Sequence, residues 1–310
     1  MSFNRNSSFI SYRSKAKLNT LGENLFLQEG SCTRLGVEPE KLKNFIQEVG
    51  RNYRPNFYHN YNHAIDTLNT MCWLLSLPRF AETLSEFDRF LLLVCALVHD
   101  VDHPGNDNQW EIKSHSAWAR ESESPSVIEY HSIVVTKKIL SQEETDILNV
   151  FPSSKRAEFL ERMENLVLWT DFAQHYDFMR MFDKKMMKTN GDLSNPEFHE
   201  LVTIALLKAA DIGNLGKPFP IAKRWAYRVM QENWAQGEKE REKNLEMGRL
   251  NDPETSDFHA AQAGFISNSA LRFYQQLELL EPELSPFVAD LKGNYDSYQR
   301  AIGEALKSVK

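Results

Sequence analysis

The sequence predicts an all-α fold, and two observations carry that prediction. Several long segments place apolar residues at the three- and four-residue spacing of a helix face, and the stretches between them are short and rich in Gly, Pro, Asn and Asp. No Asn-Gly or Asp-Gly pair joins two alternating apolar segments, as a β-hairpin would require. The chain has 310 residues, of which 42% are hydrophobic and 25% charged, and this composition suits one compact helical unit.

The helical signal is clear in the first two-thirds of the chain. Residues 86–98 are densely apolar, and residues 127–140 carry apolar side chains at mixed three- and four-residue spacing. Ser194-Asn195-Pro196 predicts the cap and first turn of a helix over 197–210.

The last third continues the pattern with one interruption. Residues 220–234 place apolar side chains along one face, and residues 265–280 are apolar without a break. The charge run 238–246 predicts a solvated helical face, and residues 248–262 predict a surface loop that leads back into a helix.

The composition argues against several functional classes. The longest strictly apolar run, 90–98, has nine residues, whereas a membrane-spanning helix needs about twenty. Residues 1–15 lack the apolar core of a secretory signal, and three widely spaced cysteines predict neither a disulfide framework nor a CxxC metal site. We therefore expect no membrane span and a reducing, cytoplasmic setting. The net charge of −7 argues against a nucleic-acid partner.

Histidine and aspartate cluster at the edges of the apolar segments. His59 and His63 are four residues apart, which places both imidazoles on one face of a helix. His99 and Asp100 directly follow one apolar segment, and Asp211 closes another. A buried carboxylate is costly unless it is paired, hydrogen-bonded or bound to a metal, so one shared cation would explain these positions together. Imidazole suits Zn²⁺, and a carboxylate can bridge to a harder ion such as Mg²⁺.

Each of these signals has a simpler interpretation when it is taken alone. A His pair at four-residue spacing is a moderate indication of a metal, and a single His-Asp pair is better explained by chance. The combination of His, His-Asp and Asp, each at the edge of an apolar helix, favours a metal site because chance rarely produces all three.

Six blocks of the sequence carry a family resemblance: YHNYNHAIDT, ALVHDVDHPGNDNQ, SVIEYH, LWTDFAQH, KAADIGN and AAQAGFI. In order and spacing they resemble the catalytic domain of the class I cyclic-nucleotide phosphodiesterases, from about residue 53 to residue 273. The HDVDHPG block and the order of the six blocks are specific to that family. The pattern of His, His-Asp and Asp alone is shared with other HD-domain phosphohydrolases.

The resemblance implies a compact bundle of about sixteen helices. This bundle would be a single catalytic domain, 1–310, with subdomains at about 1–107, 108–176 and 177–310. The resemblance also implies that a Zn²⁺ ion is held by four ligands: His63, His99, Asp100 and Asp211. Asp100 would bridge to a second ion, Mg²⁺ or Mn²⁺, whose remaining ligands are mostly water.

Further roles carry over by matching position. His59 would be the general acid, oriented by Glu129. The groups around the metal-bound waters would be His103, Thr170 and Asp171. The nucleotide pocket would be lined by Tyr58, Asn214, Val229, Gln262 and Phe265. In that pocket Gln262 would read the edge of the base, Phe265 would stack on it, and Val229 would form the opposite wall.

The chain departs from the family pattern in two places. Family members commonly read Glu-Asn-His-His where residues 129–132 read Glu-Tyr-His-Ser, so Ser132 stands in place of the second histidine. The zinc ligands are unaffected, but the outer water network around the second ion changes. Only about fifty residues precede the first block, where family members usually carry regulatory domains. We therefore expect either a minimal form or a catalytic fragment of a longer parent protein.

The implied reaction is metal-dependent hydrolysis of 3′,5′-cyclic nucleotides to nucleoside 5′-monophosphates. A hydroxide bridging the two ions would attack phosphorus, and the His59 imidazolium would protonate the departing O3′. Two alternatives stay open. Another HD-domain phosphohydrolase, such as a nucleotidase, needs the metal ligands but not the base-binding residues. A catalytically silent cyclic-nucleotide-binding module would be expected to lack a ligand or the acid.

Selectivity for the base depends on how the Gln262 amide is held. An amide offers one acceptor and one donor group, and rotating it exchanges them, so it matches either adenine or guanine unless a neighbour locks it. In the family a lock is expected seven residues before Val229, where this chain has Ala222, which cannot form a side-chain hydrogen bond. We therefore expect both cyclic AMP and cyclic GMP to be substrates.

Overall fold

The computed structural model of the protein describes residues 4–6 and 14–308, and every regular element in those residues is helical. The all-α prediction is therefore confirmed. The sixteen α-helices of the described residues are α1 (Lys15–Glu29), α2 (Ser31–Arg34), α3 (Pro39–Asn52), α4 (Tyr61–Leu75), α5 (Pro78–Thr83), α6 (Glu86–Val98), α7 (Asn108–Lys113), α8 (Ala117–Glu121), α9 (Val127–Leu140), α10 (Ser153–Leu168), α11 (His175–Thr189), α12 (Pro196–Asp211), α13 (Phe219–Glu242), α14 (Phe258–Phe265), α15 (Leu271–Leu280) and α16 (Ser285–Ser308).

Helices α4, α6 and α12 form the centre of the molecule. α4 packs against α6, and α12 contacts both. α6 begins at a capping box, in which the Ser85 hydroxyl accepts from the Asp88 N–H and the Asp88 carboxylate accepts from the Ser85 N–H. Residues 90–98 are at most 1% exposed, which is typical of a helix that is apolar on all sides and enclosed by others.

The three central helices deliver the residues of the predicted metal site. His63 lies in the first turn of α4, where the Asn60 side chain caps the helix. His99 and Asp100 follow the last residue of α6, and Asp211 is the last residue of α12. Because these helix ends meet, four polar side chains converge beside an otherwise apolar core.

The structure refines the predicted boundaries in the last third of the chain. α13 continues to Glu242, so the first part of the charge run 238–246 belongs to its final turn. The helix predicted over 265–280 is interrupted by a π-helical turn, Ile266–Ala270, between α14 and α15. α14 already starts at Phe258, which shortens the loop predicted over 248–262. None of the described helices combines the length and apolar character that a membrane crossing requires.

Candidate metal and active site

The four predicted metal ligands come together in the structure. One donor atom from each of four side chains, His63, His99, Asp100 and Asp211, lies within 4.8 Å of the other three. The His63 Nε2 is 3.0 Å from the Asp211 Oδ1 and 3.3 Å from the His99 Nε2. The His99 Nε2 is 3.1 Å from the Asp100 Oδ2. The four donors therefore face one point at the ends of α4, α6 and α12.

These separations fit donors that share one cation. Ligands about 2.1 Å from a common ion lie about 3.0–3.4 Å apart for bond angles between octahedral and tetrahedral values. The orientation of His99 fits as well, because its Nδ1 lies 3.2 Å from the carbonyl oxygen of Ala96. That hydrogen bond keeps the proton on Nδ1 and directs the Nε2 lone pair into the cluster, as in many metal-binding histidines.

The charges of the cluster also favour a cation. In the described part of the chain, Asp100 and Asp211 form their ion pairs with His63 and His99. Burial by itself raises the pKa of both carboxyls, but the adjacent imidazoles outweigh it and hold both pKa values below the usual range. Burial lowers the pKa of the two histidines, and the carboxylates more than reverse that effect. When the two imidazoles bind a metal they are neutral, while the two carboxylates keep their negative charge. A bound cation would then offset the charge of the carboxylates.

His59 lies next to this cluster but has a different partner. Its Nδ1 forms a short hydrogen bond with the Glu232 Oε1. The other carboxylate oxygen of Glu232 accepts from the backbone N–H groups of Tyr58 at 2.8 Å and of His59 at 3.1 Å. Burial lowers the pKa of His59, but the charges of Glu232 and Asp100 raise it to about 9. The imidazolium is therefore the favoured form of His59 at neutral pH.

His103 stacks on His59, with ring centroids 3.9 Å apart and planes inclined by 21°. Burial and the charge of His59 lower the pKa of His103 to about 3, so it is neutral. The group of His59, His103 and Glu232 could also be considered as metal ligands, because one donor atom from each lies within 4.8 Å of the other two. Imidazole lone pairs lie in the ring plane, so two stacked rings cannot both direct them at one ion. The geometry favours an acid held by a carboxylate over a second metal site of this kind.

The predicted nucleotide-binding residues lie on the surrounding elements. Asn214 donates from its side chain to the Tyr58 hydroxyl oxygen at 2.8 Å, and Tyr58 packs in a small apolar cluster with Trp225 and Val229. Gln262 is 7% exposed, and among the described residues no hydrogen-bond partner holds its amide. Phe265 packs against Phe172, with ring centroids 5.0 Å apart, and directly precedes the π-helical turn.

A family model for 3′,5′-cyclic nucleotide phosphodiesterases matches residues 58–291, a range that includes all the elements of the site described above. The chain belongs to this family.

Curated members of the phosphodiesterase family align over most of the chain. A cGMP-specific 3′,5′-cGMP phosphodiesterase 3 of Dictyostelium discoideum is 30% identical over 277 residues, which are 89% of this chain and 59% of the relative. A probable 3′,5′-cyclic-AMP phosphodiesterase of Caenorhabditis elegans is 29% identical over 86% of this chain and 41% of its own length. The chain thus spans about half the length of these relatives.

Solved phosphodiesterase structures share the fold. The structure of LmjPDEB1 in complex with IBMX has a TM-score of 0.92 and 28% sequence identity, and the match covers 97% of this chain and 93% of that one. The phosphodiesterase domain of the RhoPDE fusion protein from the choanoflagellate Salpingoeca rosetta has a TM-score of 0.91 and 25% identity. That match covers 99% of this chain and 96% of that one.

One predicted contact of the site is wrong. Glu129 was expected to orient His59, but its Oε2 accepts from the Asn108 side chain at 2.9 Å, and Glu232 holds His59. Glu129 lies in the first turn of α9, where burial and the charge of Asp171 raise its pKa to about 7. The Glu129 carboxyl is influenced by the charges of Asp171 and Asp100, and it changes its own charge near neutral pH.

Glu232 is the site residue that sequence reasoning missed. It lies 173 positions after His59, within the long charged helix α13, and is 6% exposed. A signal for it does exist in the sequence. The apolar face predicted for 220–234 continues at helical spacing into Glu232, Gln236 and Glu240, which places polar side chains on the inward face.

The remaining predicted polar residues, Thr170 and Asp171, directly follow the end of α10. Asp171 accepts from the Ser126 hydroxyl at 2.7 Å and caps the turn after α10 by accepting from the Ala173 N–H at 2.9 Å. Thr170 donates to the carbonyl oxygen of Val167 at 2.7 Å. Thr170 is therefore anchored by its own segment, and Asp171 both by its own segment and by Ser126 before α9.

Ser132, the departure from the family pattern, is buried and donates to the carbonyl oxygen of Val101 at 3.0 Å. Val101 immediately follows Asp100, so this hydrogen bond supports the backbone of the segment that carries two of the predicted ligands, His99 and Asp100. The adjacent His131 lies 2.9 Å from the Asp102 carboxylate and stacks on Trp118. The segment is thus held from α9 even though the second histidine of the family pattern is absent.

Proposed function

We propose that this chain hydrolyses 3′,5′-cyclic nucleotides to nucleoside 5′-monophosphates. The observation that carries the proposal is a four-donor cluster with a separate, charged acid beside it. The centroid of the His59 ring lies 6.0 Å from that of His63, outside the four-donor group, and its Nδ1 is engaged by Glu232, so the acid is adjacent to the proposed ligands and is proposed not to be one of them. Hydrolysis of a phosphodiester needs both parts, because the phosphate charge must be offset and the departing alkoxide must be protonated.

Zn²⁺ is the proposed ion of the four-donor cluster, and Asp100 is proposed to share Mg²⁺ or Mn²⁺ at a second position. Two imidazoles and two carboxylates suit zinc, and oxygen donors suit the harder ion. When bound, the two cations would offset the negative charge of the phosphodiester and lower the pKa of a water nucleophile. This local source of positive charge reconciles an anionic substrate with a chain whose net charge is −7.

His59 is the proposed general acid. Its Nδ1 is engaged by Glu232, which leaves Nε2 to carry the proton that O3′ receives. With a pKa of about 9, the imidazolium is populated throughout the neutral range. Neutral His103 stacks on the ring and limits its rotation without competing for the proton.

The proposed nucleotide pocket uses Tyr58, Asn214, Val229, Gln262 and Phe265. The Gln262 amide can take either orientation, because Ala222 has no hydrogen-bonding side chain. Among the described residues, no hydrogen bond fixes the amide in one orientation. Both cyclic AMP and cyclic GMP are therefore proposed as substrates. The named relatives include one described as cGMP-specific and one described as acting on cyclic AMP, so both bases occur in the family.

Four further residues are proposed to order the waters and the substrate near the second ion: Glu129, His103, Thr170 and Asp171. We also propose that residues 1–310 are one catalytic domain with subdomains at about 1–107, 108–176 and 177–310. The continuous apolar core, which runs from Leu18 to Tyr298, supports a single unit. A cytoplasmic setting is supported by three buried, unpaired cysteines.

The test is incubation of the purified chain with cyclic AMP and with cyclic GMP, with and without a chelator, followed by quantification of the 5′-monophosphates. We expect turnover of both nucleotides that the chelator abolishes and that Mg²⁺ or Mn²⁺ restores after zinc is supplied. Phosphate release from 5′-monophosphates without ring opening would favour a nucleotidase. Tight binding of a cyclic nucleotide without turnover would favour a silent binding module.

A further inference from the structure

A buried polar stripe runs along one face of α13. Three side chains spaced four residues apart form it, Glu232, Gln236 and Glu240, and each is at most 6% exposed. Residues at this spacing lie one above another on a helix. Because an unpaired polar group is costly to bury, the partners of these three side chains show what the stripe holds together.

The first two members contact the segments that carry the proposed catalytic histidines. Glu232 holds the His59 ring and the backbone of residues 58–59, as described above. Gln236, one turn later, accepts from the Asp107 N–H at 2.7 Å, four residues after His103 in the same loop. The Gln236 amide also donates to the Glu240 Oε1 at 2.8 Å, which continues the stripe by one more turn.

The third member fastens the loop that follows the helix. The Glu240 carboxylate accepts from the Asn251 side chain at 3.0 Å on each oxygen, and from the Gly248 N–H at 2.9 Å. Asn251 is only 7% exposed, although most of its neighbours in the 243–257 loop, which joins α13 to α14, are exposed. The Glu240 carboxylate therefore docks this loop on α13 through the buried Asn251 amide and the Gly248 N–H.

Gly237 makes the docking sterically possible. A Cβ atom added at this position would lie 2.0 Å from the Asn251 carbonyl oxygen, which is backbone and cannot move aside without shifting the loop. A glycine inside a helix lowers helix propensity, so its presence in the middle of α13 suits a position where another backbone must approach closely.

We propose that Asn251 and Glu240 are positioning residues for proton donation by His59. They fasten the 243–257 loop to α13. The helix is thereby kept in the rotation about its axis at which Glu232 contacts the His59 ring. Loss of the Asn251 amide removes two of the hydrogen bonds to the Glu240 carboxylate. That carboxylate is then drawn towards water, Gln236 loses its acceptor, and the helix is free to turn away from residues 58–59. This inference rests on the proposed phosphodiesterase function.

The experiment compares two substrates that differ only in the leaving atom. One is cyclic AMP, and the other is its analogue with sulfur in place of O3′, whose thiolate departs without a proton. The variants are Asn251→Ala, Asn251→Asp and Gly237→Ala, with Glu238→Gln as the matched control because Glu238 is exposed on the same helix. Metal content is measured for each, and His59→Ala defines the full effect of losing the acid.

We expect Asn251→Ala and Gly237→Ala to lower kcat for cyclic AMP by about 10-fold, with KM and metal content close to wild type, and to leave kcat for the sulfur analogue nearly unchanged. Asn251→Asp, which sets one carboxylate against another, should have a larger effect in the same direction. Glu238→Gln should match the wild type on both substrates. A loss in Gly237→Ala that is confined to cyclic AMP, with metal content and turnover of the sulfur analogue retained, cannot be attributed to unfolding, because unfolding would lower both activities.

Equal losses on both substrates, or no loss, in an active protein would overturn the inference while leaving the proposed function in place. If the wild type turned over neither substrate, the proposed function would be overturned, and the positioning role with it. A His59→Ala variant that slowed both substrates equally would show that His59 is not the proton donor. The inference would then be overturned, because Asn251 and Glu240 could not position a proton donor at His59.

Discussion

Asp66 and Asp211 are both carboxylates of the central helices, but they face different partners. Asp66, on α4, forms an ion pair with Lys217, and both side chains are at most 2% exposed. Asp211, at the end of α12, faces the imidazoles of His63 and His99, next to Asp100. The Asp66 pair thus joins one negative and one positive side chain, whereas the other group joins two carboxylates to two imidazoles.

The difference separates an ion pair that supports folding from a group of donors that could hold a cation. Removing one partner of a buried pair leaves an uncompensated charge, so the Asp66–Lys217 pair is expected to matter for stability. The four-donor cluster holds its charges at close range, with donor atoms within 4.8 Å of one another, and a bound cation would complete it. Two similar carboxylates on neighbouring helices should therefore respond differently to mutation.

The largest expected effect is at the cluster. Asp211→Ala or His63→Ala should abolish hydrolysis and remove the metal, because each deletes one of four proposed ligands. Elemental analysis of the purified variants measures the metal, and product formation from cyclic AMP measures the activity. Full activity in a preparation shown to be metal-free would contradict the assignment of this cluster.

The next largest effect concerns the acid beside the cluster. His59→Ala should lower kcat by about 10²–10⁴-fold, which is the usual contribution of a positioned general acid, while metal content and fold are retained. Metal analysis and thermal unfolding provide the controls. Loss of the metal in this variant would mean that His59 is a ligand and not the acid.

Glu232→Gln tests the corrected partner of His59 through pH dependence. The pKa of His59 is raised in the folded protein to about 9, so its acid form is present below that pH and is lost as the pH rises through it. Without the Glu232 charge the pKa falls, and the basic limb of the kcat profile should move to lower pH. Glu129→Gln should leave that limb in place. A shift in Glu129→Gln alone would restore the original assignment.

Substitutions in the Asp66–Lys217 pair should lower the stability of the fold and leave metal binding intact, whereas substitutions in the cluster should remove the metal. Asp66→Ala or Lys217→Ala should lower the free energy of unfolding by about 3–5 kcal/mol, because each leaves a buried charge without its partner. Metal content per folded molecule should stay at the wild-type level. The double variant Asp66→Leu/Lys217→Met should recover much of the stability, as measured by denaturant unfolding. Loss of the metal from folded Asp66→Ala would show that Asp66 also contributes to metal binding.

The smallest effect is expected at the base. The specificity constants of the wild type for cyclic AMP and cyclic GMP should differ by less than about 100-fold, or about 2.8 kcal/mol. Ala222→Gln should narrow the preference to one nucleotide, because an amide at that buried position could hold Gln262 in one orientation. A thousandfold preference in the wild type would show that another group holds the amide.

Much of this protein could be predicted from patterns that lie within one helix. Apolar spacing over 86–98 and 127–140 predicted α6 and α9 at their observed bounds. A shared cation was predicted for the pattern of His, His-Asp and Asp because each lies at the edge of an apolar run, where a lone polar side chain would be costly to bury, and the family resemblance then named the four ligands that the structure brings together. The helix bounds and the expectation of a shared cation depend on local spacing and burial, which the sequence by itself determines.

The partner of His59 was decided only by the tertiary structure. Helical spacing places Glu232 on the inward face of α13, but it does not show whether Glu129 or Glu232 meets His59. The choice depends on how α13 packs and turns against residues 58–59, and that rotation is held by Gln236, Glu240 and the docked Asn251. Contacts across 173 positions arise when helices pack and loops close, so local periodicity cannot encode them.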